Sequence, residues 1–538
     1  MLKAGTQWRF SRMVSSKGMN IRAADTDIES YVSSGWWEES KTLSDVVREN
    51  ALKEPNGVAF RTDSETLTWK QYNEWASGIS EKLKAILELG DRVIVWLPDS
   101  GAVHAAYLGC ERTGLITVGI GWRAGLKEMQ HLVETTEAKF LLSTSETPQG
   151  PISQVAAKLK LEFLEIESIS HSNSLDVEPS YIGPSDLWFL NSTSGTTGLP
   201  KCVMQTQNRW NYFHQKAVAF GNLSSKDIWM SVVPAPFGFG LWTAHFTPAI
   251  LAVPCHVQEK FNAQRAAQTI EENSVTVLCA VSSQFVMILD ESEDIDLSSL
   301  KVVFTGGEAV SPKRANDLES KSGCKVLNFY GSNETGTLSG TTIFDPPAKR
   351  HTTGGRVIAE MKVRLYDPKT GNRLKDTGSG QPACKGPALS LGYWKDEEAN
   401  KELMTEDGWF LMGDLVDIDE GGWLKVAGRT SDFIIRGGKN ISSVAVEREV
   451  EAHPKVALAA VFGKPHKKLG ETAVACVQLH KDETLTLEEL KDFLQENGVT
   501  IDWWPETLEV LSELPLSSGG KVAKAELKRL FLQNVEVE

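Results

Sequence analysis

Ser192-Thr-Ser-Gly-Thr-Thr-Gly-Leu-Pro-Lys201 stands just behind the apolar run Leu187-Trp-Phe-Leu190, and this pairing decides the reading of the chain. A buried strand that feeds a loop dense in hydroxyls, with two glycines and a closing lysine, builds a cradle for phosphate. Gly195 and Gly198 let the backbone turn tightly and aim its N–H groups at oxygens, while the Ser and Thr hydroxyls add donors and Lys201 adds charge. A Ser/Thr/Gly surface turn would account for the glycines but not for the lysine. The spacing of Gly195, Gly198 and Lys201 is not that of the Gly-x-x-x-x-Gly-Lys-Ser/Thr loop.

Around the loop the text alternates short apolar runs with helical spacing. Helices are predicted over Tyr72–Leu87, Ala102–Arg112 and Ala263–Glu272. Strands are predicted over Arg92–Leu97, Leu187–Leu190, Trp229–Val233, Val275–Ala280 and Val302–Thr305. Short buried strands alternating with helices imply parallel sheets covered on both faces. From about Thr337 the glycines 354, 355, 371, 378, 380 and 386 punctuate short runs such as Met361–Tyr366, which suggests a β-rich subdomain near 337–428. After Arg429 a shorter α/β text follows. It has a helix at Val444–Ala452, strands at Ala457–Phe462 and Thr472–Leu479, and a helix at Leu487–Glu496.

Further motifs recur in order: Thr305-Gly-Gly-Glu308, Tyr330-Gly-Ser-Asn-Glu334, Gly408-Trp-Phe-Leu-Met-Gly-Asp414, Gly428-Arg-Thr-Ser-Asp432, Gly437-Gly-Lys-Asn-Ile441 and Pro515-Leu-Ser-Ser-Gly-Gly-Lys521. Together with the 192–201 loop they resemble the motifs of the adenylate-forming acyl ligases, the family of acyl-CoA synthetases, luciferases and adenylation domains. The match to an acid–CoA ligase covers roughly residues 40 to 530. The resemblance implies an α/β fold in three parts. A leader over 1–30 would precede a large AMP-binding domain over 31–430, made of doubly wound sheets and a small β-barrel-like subdomain. A smaller mobile α+β domain would cover 431–538, turning about a hinge at Ser431.

The resemblance also distributes roles. Thr193, Ser194, Gly195, Thr196, Thr197, Gly198 and Lys201 would hold the phosphates of ATP. Gly307, Glu308, Ala309, Tyr330, Gly331 and Asn333 would form the adenine side of the site. Asp414 would take the ribose hydroxyls and Arg429 ribose or phosphate, while Gly437 and Gly438 would border the coenzyme A tunnel. Glu334 would bind Mg²⁺, a hard cation that suits a carboxylate. Lys521, with Glu334 and Thr193 the catalytic set, would stabilise charge growing between the acid and the α-phosphate. A carboxylate is already a nucleophile, so no catalytic base is needed, and positioning and electrostatics carry the reaction. Departures from the family pattern are Cys202, Gln207, Asn333, Ser431, Ser443, Ala445, Trp503 and Trp504. They bear on CoA contacts and on the hinge.

The acyl pocket implied by the resemblance would draw on Trp210, Phe213, Phe237, Phe239, Trp242 and Gly306. The Pro234–Trp242 loop lacks the aspartate that holds an amino-acid ammonium, so an aromatic wall without fixed charge favours an apolar tail. The expected substrate is a small to medium monocarboxylic acid, apolar, aromatic or alicyclic, and the expected acceptor is CoA. Two other readings stay open: an adenylate-forming ligase that passes the acyl group to an amine or another acceptor, and a nonenzymatic nucleotide-binding regulator.

Composition bounds these readings. With 56 basic against 71 acidic residues the net charge is −15, which leaves no basic surplus to displace counterions from nucleic acid. No run reaches the roughly 18 to 20 apolar residues of a membrane helix. Seven scattered cysteines, at 110, 202, 255, 279, 324, 384 and 476, read as idle thiols rather than disulfides or a zinc site. Residues 1–24 carry Lys3, Arg9, Arg12, Lys17 and Arg22 with no acid before Asp25. This reads as a disordered leader, or an early start with Met13 or Met19 as the true one, in a cytoplasmic protein. The alternative is a transit peptide to the mitochondrial matrix. A homodimer is compatible with all of this.

Overall fold

The structure, a computed structural model, describes residues 25–172, 182–192, 200–308, 310–429, 433–436, 439–517 and 521–532. The chain divides into two compact units. The first comprises Met1–Cys279, Gly331–Thr337 and Lys385–Phe410; the second comprises Ala280–Tyr330, Leu338–Cys384 and Leu411–Glu538.

In the first unit a six-stranded sheet runs in the order Cys202–Gln205, Phe189–Ser192, Ile116–Gly119, Arg92–Trp96, Phe140–Ser143, Glu162–Glu165. The last five strands are parallel neighbours, and only Cys202–Gln205 is antiparallel to its partner. The central strand explains itself: Val93, Ile94, Val95 and Trp96 are all buried, as a strand covered on both faces requires. Met129, Leu132, Ile152 and Val155 cover the sheet from the helices Leu126–Thr136 and Ile152–Leu159. A second set of strands runs Val277–Cys279, Trp229–Ser231, Cys255–Val257, Val58–Arg61, Thr66–Thr68, parallel except for the last pair. The helix Trp69–Lys84 starts on a reciprocal cap. The Gln71 backbone donates to the Thr68 hydroxyl at 3.2 Å, and the Thr68 backbone donates to the Gln71 side chain at 2.9 Å.

In the second unit Val302–Gly306 pairs in parallel with Lys325–Ser332, in register from Val302↔Lys325 to Gly306↔Phe329. An antiparallel sheet of Val363–Tyr366, Gly378–Cys384, Asp414–Ile418 and Leu424–Arg429 follows the glycine-punctuated text. The last stretch forms the sheet Lys439–Ser442, Phe433–Arg436, Gly470–Leu479, Val456–His466, with Thr507–Leu511 parallel to Gly470–Leu479. Its core joins Ile434, Val461 and Ala475 to Val446 and Val450 of the helix Ser443–Glu451 and to Leu490 and Leu494 of Leu487–Glu496. Ser442 caps the first of these helices by accepting the Ala445 N–H at 3.1 Å. The architecture is thus a large α/β part with mixed sheets and a smaller C-terminal α+β part, as the sequence predicted. All seven cysteines are buried. Among the described residues no helix is long and apolar enough to cross a membrane.

Candidate active site

Strand Phe189–Ser192 ends where the hydroxyl-rich loop begins. Ser192 is buried, and its hydroxyl has no hydrogen-bond partner among the described residues. Thr193, Ser194, Gly195, Thr196, Thr197 and Gly198 lie outside the described residues, as do Ala309, Ser431, Gly437 and Gly438. Lys201 is described: its ammonium sits 5.0 Å from the centre of the Tyr393 ring. The Tyr393 hydroxyl in turn donates to Glu334 Oε1 at 2.8 Å. Desolvation, followed by the adjacent Glu334 charge, pushes the Tyr393 phenol well above its ordinary range. It therefore stays protonated and keeps donating.

Glu334 is held from both sides. Its backbone N–H donates to the Ser332 hydroxyl at 3.2 Å, and its carbonyl accepts the Ser390 N–H at 2.8 Å. Gly331 makes the turn close, because a Cβ there would lie 1.9 Å from the Gly336 carbonyl oxygen. Asn333 is tied down by a network that runs back to the sheet. The Arg209 guanidinium donates to the Asn333 carbonyl at 2.7 Å and to the Ala388 carbonyl at 2.8 Å, and it also meets the Gln205 side-chain oxygen. The Gln205 amide donates to Asn191 Oδ1 at 2.6 Å, and the Asn191 amide donates to Asn333 Oδ1 at 3.3 Å. Gly238 faces this group: a Cβ there would lie 2.4 Å from Asn333 Oδ1 and 3.0 Å from the Trp210 ring. The departure from threonine at 333 therefore lengthens a side chain that leans on the aromatic loop.

In that loop Phe237 and Phe239 are half-buried, while Trp210 and Trp242 are buried. Trp242 sits in a stack, its ring 4.4 Å from that of Phe213 and 5.5 Å from that of Phe239. The Ala235 N–H donates to Asp99 Oδ1 at 2.6 Å, which anchors the loop to the segment that follows strand Arg92–Trp96. Burial pushes the Asp99 carboxyl up to about 7, against the pull of that hydrogen bond.

The second unit assembles the other expected residues. The Tyr330 hydroxyl donates to Asp414 Oδ2 at 2.8 Å, and Arg429 Nε lies 3.8 Å from Asp414 Oδ1. Gly306 is closed in: a Cβ there would lie 2.7 Å from the Phe329 carbonyl oxygen. Gly307 has φ +77°, which favours glycine, and the Lys521 ammonium fills the space where a Cβ would stand, Nζ lying 2.5 Å from that position. Desolvation lowers the Lys521 pKa, Glu308 and Asp414 oppose that shift, and Arg429 adds to it. Glu308 Oε2 accepts the N–H and the hydroxyl of Ser283, both at 3.0 Å, and Oε1 accepts the Val522 N–H at 3.1 Å.

Sequence reasoning missed Tyr393, Arg209, Gln205, Asn191 and Asp99. The one usable signal was Asp99, an acid at the carboxyl end of a buried parallel strand, where such folds place their sites. Gln207, one of the departures, accepts the Leu43 N–H at 2.8 Å and is wholly buried. Among the described residues no three His, Cys, Asp or Glu side chains cluster as metal ligands.

Comparison with known proteins places this geometry in context. The AMP-binding enzyme family model matches residues 47–394, and the AMP-binding enzyme C-terminal domain model matches 445–521. The chain is 27% identical to a medium-chain fatty-acid–CoA ligase of Escherichia coli over 532 residues, covering 94% of this chain and 93% of that one. It is 26% identical to the vibriobactin-specific 2,3-dihydroxybenzoate-AMP ligase of Vibrio cholerae, covering 93% and 96%. In fold it is similar to an anthranilate CoA ligase, AuaEII, solved with anthranoyl-AMP. There the TM-score is 0.83 at 21% identity, covering 92% of this chain and 98% of that one.

Proposed function

Because the chain belongs to the AMP-binding enzyme family, whose chemistry activates an acid as its acyl-adenylate, we propose that this ligase hands the acyl group to coenzyme A. The proposed acid is a small to medium apolar, aromatic or alicyclic monocarboxylate. The observation that carries the reading is Lys521 beside Gly307, in the same unit as the Tyr330–Asp414–Arg429 group. A cation held there is suited to the charge that grows when a carboxylate oxygen attacks the α-phosphorus and pyrophosphate leaves. A thiol attacking the acyl carbonyl would then expel AMP.

The remaining roles follow from the chemistry of each side chain. Asp414 would accept the ribose hydroxyls, with Tyr330 fixing its other face. Glu334 fits Mg²⁺: it is a carboxylate with one oxygen engaged by a neutral hydroxyl, and no protein cage surrounds it among the described residues. Mg²⁺ is commonly held by one or two carboxylates plus substrate phosphates, and when bound it neutralises phosphate charge. The apolar character of the acid is supported by the half-buried Phe237 and Phe239 and by the stacked Trp242. It is also supported by relatives named for a fatty acid and for an aryl acid.

The test is AMP release from ATP over a panel of carboxylic acids, each run with CoA, with a simple amine and with neither. AMP release that needs both an apolar acid and CoA is the expected result. Release driven by the amine instead would move the acceptor, and no acid-dependent pyrophosphate exchange at all would leave only nucleotide binding.

A further inference from the structure

Glu308 was expected on the nucleotide side of the site, and its carboxylate joins two other elements. One oxygen is anchored on Ser283 at the start of helix Ser282–Asp290 by two hydrogen bonds of 3.0 Å. The other takes the backbone N–H of Val522, next to Lys521, at 3.1 Å. Among the described residues, the backbone hydrogen bonds inside the lysine-bearing turn shape it without reaching the Gly306–Gly307 turn. Ser517 N–H donates to the Lys521 carbonyl at 2.6 Å, and Ala523 N–H donates to the Pro515 carbonyl at 2.7 Å. Glu308 supplies that attachment.

We propose that Glu308 is a positioning residue, which bolts the Lys521 backbone to the Gly306–Gly307 turn and so governs the first half-reaction and not the second. This rests on the adenylation reading above. The carboxylate accepts three donors at once, and neither an amide nor a methyl can do so. Its charge also favours the nearby ammonium, opposing the burial and the Arg429 charge that disfavour it. A catalytic group displaced by about 1 Å can lose on the order of 10²-fold in rate.

The experiment is a double-mutant cycle on the full chain, using Glu308→Ala, Glu308→Gln, Lys521→Ala and the double variant Glu308→Ala/Lys521→Ala. Acid-dependent pyrophosphate exchange should fall about 10- to 100-fold in each Glu308 variant, through kcat rather than the KM for ATP. Thiol-driven release of AMP from preformed adenylate should stay within about 3-fold of wild type. In the Lys521→Ala background, removing Glu308 should cost less than about 2-fold more, because its effect passes through the lysine. Equal losses in both backgrounds would overturn the proposal. A raised KM for ATP with kcat intact would return Glu308 to nucleotide binding. Wild-type exchange with normal Glu308 variants would sink this proposal alone, whereas absent wild-type exchange would sink the adenylation reading instead. Glu308→Gln, close to isosteric, keeps the test open if the alanine variant fails to fold.

Discussion

Lys521 and Glu334 carry different kinds of charge, and substitution separates them. Lys521→Ala removes the proposed transition-state partner, so acyl-adenylate formation should fall by at least about 10²-fold, while thioester formation from preformed adenylate stays near normal. Equal loss in both half-reactions would show that the lysine is not tied to the first. Glu334→Gln keeps the shape but offers a hard cation a neutral oxygen, so adenylation should need more Mg²⁺ for half-maximal rate. Tyr393→Phe should shift that titration in the same direction but less, because it deletes only the 2.8 Å donor that orients the carboxylate. An unaltered Mg²⁺ titration in both variants would take the metal from Glu334. At this scale the motif residues were legible because their chemistry is written in short runs. Tyr393 was not, since it stands 59 residues from Glu334 and only the fold brings them together. Arg209 was hidden in another way: a buried guanidinium bonded to the carbonyls of Ala388 and Asn333 leaves no trace in local patterning.

Elements were read well where burial is continuous and poorly where polar residues are buried. Helix Leu487–Glu496 lies where its spacing predicts, and Arg92–Trp96 ends within a residue of expectation. The strand before the hydroxyl-rich loop runs Phe189–Ser192, not Leu187–Leu190. The reason is that Asn191 and Ser192 belong to the ladder, and the Asn191 amide is satisfied by Asn333 and Gln205 rather than by water. The π-helical turn Leu241–Phe246, which carries Trp242, has no signature that periodicity can detect. Strands Leu424–Arg429 and Phe433–Arg436 flank the proposed hinge, which itself lies outside the described residues. Proline at 431 would fix φ near roughly −65°, remove an N–H and push Thr430 towards extended backbone. Ser431→Pro should leave pyrophosphate exchange near wild type and depress thiol-dependent AMP release by orders of magnitude, about 10²-fold or more, because a hinge works by absorbing a backbone change. A folded variant with both rates intact would remove the hinge from this position.

For the whole molecule, buried ionisable groups set how stability follows pH, and the two classes act in opposite directions. Burial pushes Asp99 and Glu111 up to about 7 and Glu451, beside Glu447, up to about 8. From about pH 4 upward the unfolded chain has already released these protons while the folded chain still holds them, so each acid lowers stability as pH rises towards its folded value. Burial lowers His104 to about 3 and His214 and His256 to about 4, and it also lowers His245 and His453. Here the unfolded chain binds the extra protons below its ordinary pKa of roughly 6.5, so each histidine raises stability as pH climbs to that value. The histidines offset the acids up to about pH 6.5, above which only the acids still contribute. The unfolding midpoint should therefore be highest near pH 6.5 and decline towards about pH 8, each acid contributing roughly 1.4 kcal/mol per pH unit within its window. Thermal melts from pH 5 to 8.5 check the shape, and Glu451→Gln isolates one contributor. Glutamine cannot titrate, so that variant should flatten the decline between about pH 6.5 and 8 and steepen the rise between about pH 4.5 and 6.5, because the window of Glu451 spans both. A variant that follows the wild-type curve at every pH would show that Glu451 keeps no proton in the folded state at pH 7.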